Sequence, residues 1–429
     1  MRVILVLVWA LLVCQVGTLQ AQHWSTFQNG GAVNQPGKLA TKWSPESGIA
    51  WQKKLAGYGQ SSPVVFKNTI FVTSVTGPNK EKINVEALSA TDGSRKWIYS
   101  HANSTSQENT VMISRAAPTP ACDELGVIAM FGGGNLLALD HEGQLRWQRD
   151  FADEYGDVKA RHGLAASLEQ NDDLVFVWVE RTDKPYIVAI DKTNGQTVWK
   201  VDGVGGTSWG SPRLITIGNT KHLVLSASGK LVGLNPKSGE RLWEFDDIAG
   251  NTSVTPIPLG SGALLIGSTG SREGMPVKPC SGVLEIKAEE NGYEVSWRWS
   301  SKKLTCSFGS PLVFDSRAYF VNRTGIVNCH DLDSGEKVYT GRISGGQMWA
   351  TPLAADNLLY FFGNSGVTTI VQPADELKII SKNQLWELEA KDDKSPNSFS
   401  GLVLYAAVIS GDRLLLRRGD KVFAVAAEN

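Results

Sequence analysis

The sequence predicts an all-β fold: an eight-bladed β-propeller of four-stranded antiparallel blades, closed by the N-terminal strand. Three observations predict it. A hairpin motif that ends in an aromatic residue recurs along the chain, and a second motif, a small residue next to Pro or Ser, precedes each hairpin. The aromatic residues are spaced 46, 50, 52, 44, 54 and 42 residues apart, a mean of 48. A four-stranded unit repeating at this interval is typical of a propeller.

In the hairpin motif an apolar strand leads to a tight turn, a Gly follows, and the aromatic residue comes four residues after that Gly, or five in one copy. Gly supplies the positive φ that tight hairpins need, so each copy predicts two strands joined by a turn. Clear copies are AIDKTNGQTVW and GLNPKSGERLW. The recurring aromatic residues are Trp51, Trp97, Trp147, Trp199, Trp243, Trp297 and Tyr339.

The second motif opens each unit in segments such as SSPVV, GSPRLI and GSPLVF, and a β-rich run follows it, which brings each unit to four strands. The chain ends give the number of blades. The strand GIAWQKKL has no strands of its own before it, and the last unit, residues 402–427, has only three. Pairing these ends removes two exposed sheet edges and makes eight blades. The seventh unit lacks the Gly and the aromatic residue at the expected positions, so seven blades is the alternative if this unit is not a blade. Its Trp386 falls near the expected interval, and we interpret that position as a coincidence.

Residues 1–21 have the features of a signal peptide. Arg2 precedes an apolar run, residues 3–13, that is too short to cross a membrane as a helix, and a small residue, Ala21, follows at a suitable distance. We therefore expect a protein exported to the periplasm or beyond. Cys14 raises the alternative of a lipoprotein, against which the preceding Val13 argues. Residues 22–47 are then an N-terminal extension, and residues 48–429 form a single propeller domain.

The charge of the chain is nearly balanced, with 42 Lys and Arg against 43 Asp and Glu. Such a chain has no general electrostatic attraction to nucleic acid or to an anionic membrane. No later stretch is apolar for long enough to be a transmembrane helix. We expect a monomer that binds neither nucleic acid nor membrane.

Beyond the leader there are four cysteines, Cys122, Cys280, Cys306 and Cys329. Their spacing fits no zinc motif, and we expect no metal site from them. Cys280 and Cys306 fall within one repeat unit, which makes them the pair to consider for a disulfide. The alternative is four separate buried thiols.

The hairpin motif resembles the repeat of the pyrroloquinoline-quinone (PQQ)-like propellers, whose hallmark is A-[IL]-[DN]-x-x-[TS]-G-x-x-x-W. The resemblance runs from about Trp51 to the C-terminus, and it extends to the BamB-like outer-membrane assembly factors and to a group of exported bacterial propellers. The N-terminal segments HWSTFQNGG and KWSPESGIAW of this chain also resemble that exported group. It implies that the hallmark aromatic residues are structural and dock each blade against the next. Burial of a large aromatic side chain at such a contact is consistent with this role.

In a propeller the innermost strand of each blade lines the central channel, and the loop that enters this strand opens on one face. The residues just before each Pro motif are therefore expected around a common mouth. Two Trp with Arg, His and amide side chains suit a planar or anionic ligand, whereas the alternative is the polar lining of any wet channel. The predicted mouth residues are Gln60, Arg115, Arg161, His162, Trp209, Asn251, Ser307, Gln347 and Trp349.

Our leading hypothesis is an exported, non-catalytic scaffold that binds a protein or peptide partner in the cell envelope and needs no cofactor. The alternatives are a quinoprotein-type oxidoreductase that holds PQQ and calcium beneath Trp209 or Trp349, and a binder of small anions or sugars. The resemblance implies that such an enzyme needs carboxylate ligands for Ca²⁺. Only Asp153, Glu154 and Asp157 lie in mouth-lining loops, where an acidic surface loop is the preferred interpretation over a metal cluster.

Two short motifs are explained by the propeller itself. GTSWG, residues 206–210, matches the nucleophile elbow of hydrolases, but Ser208 leads into a predicted strand instead of a helix. The tripeptide Arg418-Gly419-Asp420 lies between two strands, so we interpret it as a hairpin turn.

Overall fold

The computed structural model describes residues 23–31, 34–35, 38–105, 110, 112–160, 162–206, 208–227, 229–269, 278–387 and 403–427. Their strands form eight antiparallel four-stranded blades in a ring, which confirms the predicted all-β eight-bladed propeller. The predicted signal peptide, Cys14 and Arg161 lie outside the described residues.

Two strands precede the first complete blade: β1 (Asn34–Gln35) and β2 (Ile49–Lys54). Blade 1 comprises β3 (Val64–Phe66), β4 (Thr69–Thr76), β5 (Lys82–Ser89) and β6 (Arg95–Ala102). Blade 2 comprises β7 (Ala121–Asp123), β8 (Gly126–Met130), β9 (Asn135–Leu139) and β10 (Leu145–Asp150), and a one-turn helix, α1 (Phe151–Tyr155), follows it. Blade 3 comprises β11 (Glu169–Gln170), β12 (Leu174–Val179), β13 (Tyr186–Asp191) and β14 (Thr197–Asp202). Blade 4 comprises β15 (Arg213–Ile217), β16 (Thr220–Ala227), β17 (Lys230–Leu234) and β18 (Arg241–Phe245).

Blade 5 comprises β19 (Ile257–Gly260), β20 (Ala263–Ile266), β21 (Ser281–Glu289) and β22 (Gly292–Ser301). Blade 6 comprises β23 (Leu312–Phe314), β24 (Arg317–Val321), β25 (Ile326–Asp331) and β26 (Lys337–Arg342). Blade 7 comprises β27 (Leu353–Ala355), β28 (Leu358–Phe362), β29 (Val367–Gln372) and β30 (Lys378–Gln384). Blade 8 comprises β31 (Leu404–Ser410), β32 (Arg413–Arg418) and β33 (Lys421–Val425), with β2 as its fourth strand.

The ring closes where the sequence predicted. Strand β2 pairs antiparallel with β33, and Trp51 lies opposite Ala424. The seventh unit is a true blade despite its missing motif, so the count of eight is confirmed. The short strand β1 adds to that blade in parallel with β27, with Asn34 opposite Ala354. The N-terminal extension is thus built into the propeller.

Each blade is covered on both faces by its neighbours, and this explains its sequence pattern. Strand β12 reads LVFVWV and is buried at every position, because both of its faces meet another blade. The outermost strand is different: in β6, exposed and half-buried residues alternate. The apolar runs of the middle strands therefore form the interfaces between blades.

Four of the hallmark tryptophans bond to the next blade around the ring. The indole N–H of Trp147 donates to the carbonyl oxygen of Lys192 in blade 3 at 2.9 Å. A Cβ added to Gly195 in the same turn would lie 2.7 Å from the Trp147 ring, so the turn needs a glycine there. Three others make the same bond to the next blade: Trp51 to Ala90, Trp97 to His141 and Trp199 to Pro236.

The tryptophans of blade 5 depart from this pattern, because the indole of Trp297 does not bond to the next blade. Trp297 donates back to Asp247, which follows blade 4, at 3.0 Å. Trp299 makes the docking contact instead, donating to Leu332 of blade 6 at 2.8 Å. The reason is register: a bulge places Trp299 opposite Val283, the position that the hallmark residue takes in other blades, because the hairpin of blade 5 is longer.

Trp243 bonds within its own blade, where its indole N–H donates to Nδ1 of His222 at 3.0 Å. Tyr339 is buried in the core that blade 6 shares with blade 7. Trp386 is no coincidence: its ring stacks on Phe423 of blade 8, with centroids 6.4 Å apart. It fills the junction of blades 7 and 8 from a position after the outer strand.

The structure has Cys122, Cys280, Cys306 and Cys329 as free, buried thiols. The Cys280 thiol donates to the carbonyl oxygen of Leu304 at 3.3 Å. Burial raises the pKa of the Cys306 thiol to about 12. Among the described residues, no helix is long and apolar enough to cross a membrane.

Candidate functional site

A hydrogen-bonded girdle surrounds the channel two residues before each innermost strand. The backbone N–H of Ser62 in blade 1 donates to the Thr119 hydroxyl of blade 2 at 2.9 Å, and the N–H of Thr119 donates to Ser167 of blade 3 at 3.1 Å. The series continues from Ser167 to Ser211 and from Ser211 to Thr255, and again from Ser310 to Thr351. The hydroxyl residues of the second sequence motif therefore link neighbouring blades.

The N-terminal segment, residues 23–31, lies inside this girdle. Trp24 pairs with Val65 of blade 1 through two backbone hydrogen bonds of 2.9 and 2.8 Å. The carbonyl oxygen of Ser25 accepts a bond from the N–H of Cys122 in blade 2 at 2.9 Å. The amide of Gln28 donates to the hydroxyls of Ser310 in blade 6, at 2.9 Å, and of Thr351 in blade 7, at 2.6 Å.

A buried ion pair holds the same segment from the other side of the ring. Arg213 of blade 4 donates to the carbonyl oxygen of Phe27 at 3.1 Å and to Oε1 of Gln28 at 2.8 Å. It also pairs with Glu169 of blade 3 at 3.4 Å. Burial raises the pKa of Glu169, and the charge of Arg213 offsets part of that rise. These contacts bond the segment to blades 1, 2, 4, 6 and 7, so residues 23–31 occupy the channel below the mouth as a plug.

The backbone of this plug is strained. Gln28, Asn29 and Gly30 are consecutive residues with φ of 55°, 48° and 66°, in the left-handed region. For a residue other than Gly, this conformation costs roughly 1–2 kcal/mol. The hydrogen bonds from the blades to Gln28 hold it in place.

Above the plug, the mouth forms a cavity of about 150 Å³. Its walls are the loops that enter the innermost strands, and Phe27 of the plug is part of its floor. The lining is mainly aromatic and aliphatic, with hydroxyls between: Phe27, Gln60, Ser62, Met112, Ile113, Ala117, Thr119, His162, Ala165, Ser167, Trp209, Ser211, Ser253, Phe308, Trp349 and Tyr405.

Two aromatic groups form opposite parts of the wall. His162 and Trp209 lie side by side, with ring centroids 5.6 Å apart. Phe308 and Trp349 are closer, at 4.3 Å, and Tyr405 meets Trp349 edge-on at 5.6 Å. Rings placed in this way offer flat apolar surface from two sides, which suits an apolar or aromatic group between them.

Four of the predicted mouth residues line the cavity: Gln60, His162, Trp209 and Trp349. Asn251 and Ser307 do not, because both are fully buried and support loops. The Asn251 amide donates to the Ser226 hydroxyl at 3.0 Å, and the Ser307 hydroxyl accepts from the N–H of Met348 at 3.2 Å.

Two further predicted residues lie behind the wall. Arg115 packs against Gly132, where an added Cβ would lie 3.3 Å from it, and burial lowers the pKa of its guanidinium. Gln347 is buried, and its backbone carbonyl oxygen accepts a hydrogen bond from the backbone N–H of Asn364 at 2.8 Å. Neither Arg115 nor Gln347 is among the described residues that line the cavity.

Sequence reasoning missed three aromatic lining residues. Phe308 directly follows Ser307, so the motif loop contained a signal for it. Tyr405 begins the divergent segment YAAVI and lies near the start of β31, the innermost strand of blade 8. Phe27 belongs to the extension, and no repeat motif marks it.

The lining does not fit a quinone with calcium. Among the described lining residues there are hydroxyl, amide and imidazole groups but no carboxylate, whereas Ca²⁺ prefers carboxylate and carbonyl oxygens. Of the acidic residues considered from the sequence, Asp153 and Glu154 lie in α1, and Glu154 pairs with Arg149, whose Nε donates to it at 2.8 Å. The described part of the chain contains no group of three His, Cys, Asp or Glu side chains placed to hold a metal ion.

The two short motifs have structural explanations. The Ser208 hydroxyl donates to the carbonyl oxygen of Thr252 at 2.9 Å, and strand β15 follows it, so the strand-turn-helix context of a nucleophile elbow is missing. Gly419 and Asp420 form the turn between β32 and β33, which confirms the predicted hairpin.

Comparison with solved structures gives the same fold. BamB from Moraxella catarrhalis matches with a TM-score of 0.59 and 15% identity, over 88% of this chain and 97% of that chain. The quinohemoprotein alcohol dehydrogenase of Comamonas testosteroni matches with a TM-score of 0.58 and 12% identity, over 95% and 81%. The enzyme of the same kind from Pseudomonas putida matches with a TM-score of 0.56 and 14% identity, over 94% and 80%.

These identities are low, and the structural likeness establishes the fold alone. A comparison with curated proteins found no match for the sequence. The family described as outer membrane protein assembly factor BamB matches residues 9–162 and 157–257, more than half of the chain. With its eight blades and its repeated docking tryptophans, this chain belongs to the BamB family of PQQ-like repeat propellers.

Proposed function

We propose that this protein is an exported, non-catalytic scaffold of the cell envelope, and that it binds a protein partner by receiving one of the partner's apolar side chains in the mouth cavity. The aromatic lining carries this proposal: Trp209 stands on one side, and Phe308 and Trp349 stand on the other. Membership of a family described as an outer membrane assembly factor supports a protein partner in the envelope.

The girdle adds hydroxyl groups to the lining of the cavity. The hydroxyl oxygens of Thr119, Ser167 and Ser211 each accept a backbone N–H from the preceding blade. Among the described residues their own O–H groups have no acceptor, so we expect them to donate to an acceptor on the ligand, such as a peptide carbonyl. An apolar cleft with a few fixed hydroxyl donors is the usual composition of a binding site for a small apolar group with polar neighbours.

Calorimetric titration with a capped tripeptide, Ac-Gly-Phe-Gly-NH2, tests the proposal on the purified protein. We expect saturable binding that weakens about tenfold in Trp209→Ala and in Trp349→Ala, because each variant removes one aromatic wall. Trp297→Ala is the matched control, since Trp297 lies on the outer strand of blade 5. Equal affinity in all four proteins would contradict a peptide site at the mouth.

A further inference from the structure

We propose that Phe27 sets the depth of the mouth cavity, so that the N-terminal segment selects the length of the apolar side chain that the propeller accepts. This inference rests on the proposed function, because it names a specificity-determining residue of the same site.

Phe27 stands between two cavities. Below the mouth lies a second space of about 30 Å³, bordered by residues of the plug, of blade 7 and of blade 8. The two cavities share four lining residues, Phe27, Ser62, Trp349 and Tyr405. Of these, Phe27 alone belongs to the N-terminal segment, and the other three belong to the walls of the ring. Phe27 therefore lies where the two cavities meet, and it is the residue of the N-terminal segment that borders both of them.

The position of Phe27 is fixed through its backbone. Its carbonyl oxygen accepts from Arg213 at 3.1 Å, and the next residue, Gln28, is bonded to Arg213, Ser310 and Thr351. Gln28 is 5% exposed, whereas the side chain of Phe27 is only half-buried and borders the open cavity. A smaller residue at position 27 can therefore leave the anchorage of the plug intact while it removes the floor.

Removal of the floor joins the two cavities and deepens the site. A cavity of about 150 Å³ has room for a single aromatic ring, so we expect a longer side chain to meet Phe27. In Phe27→Ala the path continues toward Leu353 and Val408, which border the lower cavity. We expect the preference to move toward longer apolar side chains, since a pocket discriminates by the apolar surface that it can bury.

The test compares Ac-Gly-Phe-Gly-NH2 with the same peptide carrying biphenylalanine, whose side chain is one ring longer. We expect the wild-type protein to bind the Phe peptide more tightly, and we expect Phe27→Ala to shift the ratio of the two affinities toward biphenylalanine by about tenfold. Phe27→Leu retains a floor and should shift the ratio less. Phe314→Ala, a substitution of the same kind in β23, should leave the ratio unchanged.

The outcomes separate the two proposals. If the wild-type protein binds the Phe peptide and Phe27→Ala keeps the same ratio, Phe27 does not set the depth, although the proposed function stands. If the wild-type protein binds neither peptide, the proposed function fails and this inference fails with it. Thermal unfolding shows whether Phe27→Ala is folded. If it is not, Phe27→Leu and Phe27→Val are compared with the wild-type protein, and the ratio of the two affinities must shift further toward biphenylalanine as the side chain at position 27 becomes smaller. An unchanged ratio in both variants would overturn the inference.

Discussion

Arg417 donates a hydrogen bond to the carbonyl oxygen of Ser61 at 2.8 Å, across the junction where blade 8 meets blade 1. Its other terminal nitrogen donates to the carbonyl oxygen of Thr73 at 2.6 Å. The guanidinium is fully buried, and this burial lowers its pKa to about 10. The two ends of the propeller meet here without a covalent link, so Arg417 secures the closure together with the pairing of β2 and β33.

The closure should weaken when this guanidinium is removed. Arg417→Met leaves the carbonyl oxygens of Ser61 and Thr73 buried without their donor, and we expect a loss of about 2–4 kcal/mol in the free energy of unfolding, measured by urea unfolding. Arg342→Met is the control, because Arg342 is exposed and donates to Thr324 within its own blade. A similar loss in both variants would show that Arg417 has no special part in closure.

The girdle makes a second prediction about stability. Thr119→Val keeps the shape of the side chain but removes the acceptor for the N–H of Ser62, which then lies unpaired in the interior. We expect a loss of about 1–3 kcal/mol, and Thr119→Ser, which restores the hydroxyl, should recover most of it. If Thr119→Ser is as destabilised as Thr119→Val, the packing of the methyl group is responsible and the hydroxyl is not.

A third prediction separates backbone strain from docking. Gly195 and Gly218 both have positive φ, at 76° and 57°, so alanine is strained at either position. At Gly195 the new Cβ would also press on the Trp147 ring at 2.7 Å, whereas at Gly218 no atom lies within 4 Å. Gly195→Ala should therefore lower the thermal midpoint clearly more than Gly218→Ala does. Equal shifts would mean that backbone strain accounts for both.

The junction of blades 4 and 5 should be sensitive to acid. The Nδ1 atom of His222 accepts from Trp243, and Nε2 lies 3.1 Å from the Thr220 hydroxyl, so the folded state holds a neutral imidazole. Burial lowers the pKa of His222 from its ordinary value of 6.5. Above that value the imidazole is neutral in the folded and the unfolded chain alike. Below it the unfolded chain binds a proton that the folded chain does not, so stability falls with pH until the folded-state pKa is passed.

Unfolding at a series of pH values checks this dependence. His222→Gln keeps an acceptor near Trp243 but cannot titrate. The wild-type protein should lose more stability than His222→Gln as the pH is lowered from 7 to 5, with little difference in slope above pH 7. Parallel curves over the whole range would exclude His222 as the source.

The fold followed from the sequence because its signals are local and repeated. The turn glycine and the aromatic residue recur in the hairpins of the first six units, and the short last unit required β2 to close the ring. In blade 5 the spacing of the aromatic residues gives the wrong residue. The bulge places Trp299 at the hallmark position, although Trp297 is closer to the mean spacing of the repeat. A change of one residue in a turn alters the pairing register, and the spacing of aromatic residues does not report it.

The site was predicted less completely, because its parts come from distant segments. The repeat located the mouth loops, and Trp209 and Trp349 line the cavity as expected. Asn251 lies in a loop of the same kind, but its side-chain carbonyl oxygen accepts a hydrogen bond from the backbone N–H of Gly229 instead of lining the cavity. Phe27 reaches the mouth only because Arg213 and Glu169 hold the extension inside the ring, a long-range contact that no local motif encodes.

The most direct test of this account is a calorimetric titration of the wild-type protein with Ac-Gly-Phe-Gly-NH2 and, in parallel, with PQQ and Ca²⁺. A scaffold with an apolar mouth should bind the peptide saturably and show no saturable heat with millimolar quinone, because the described lining offers no carboxylate for the metal. Quinone binding that requires Ca²⁺ and disappears in Trp209→Ala would contradict the account and identify the mouth as a cofactor site.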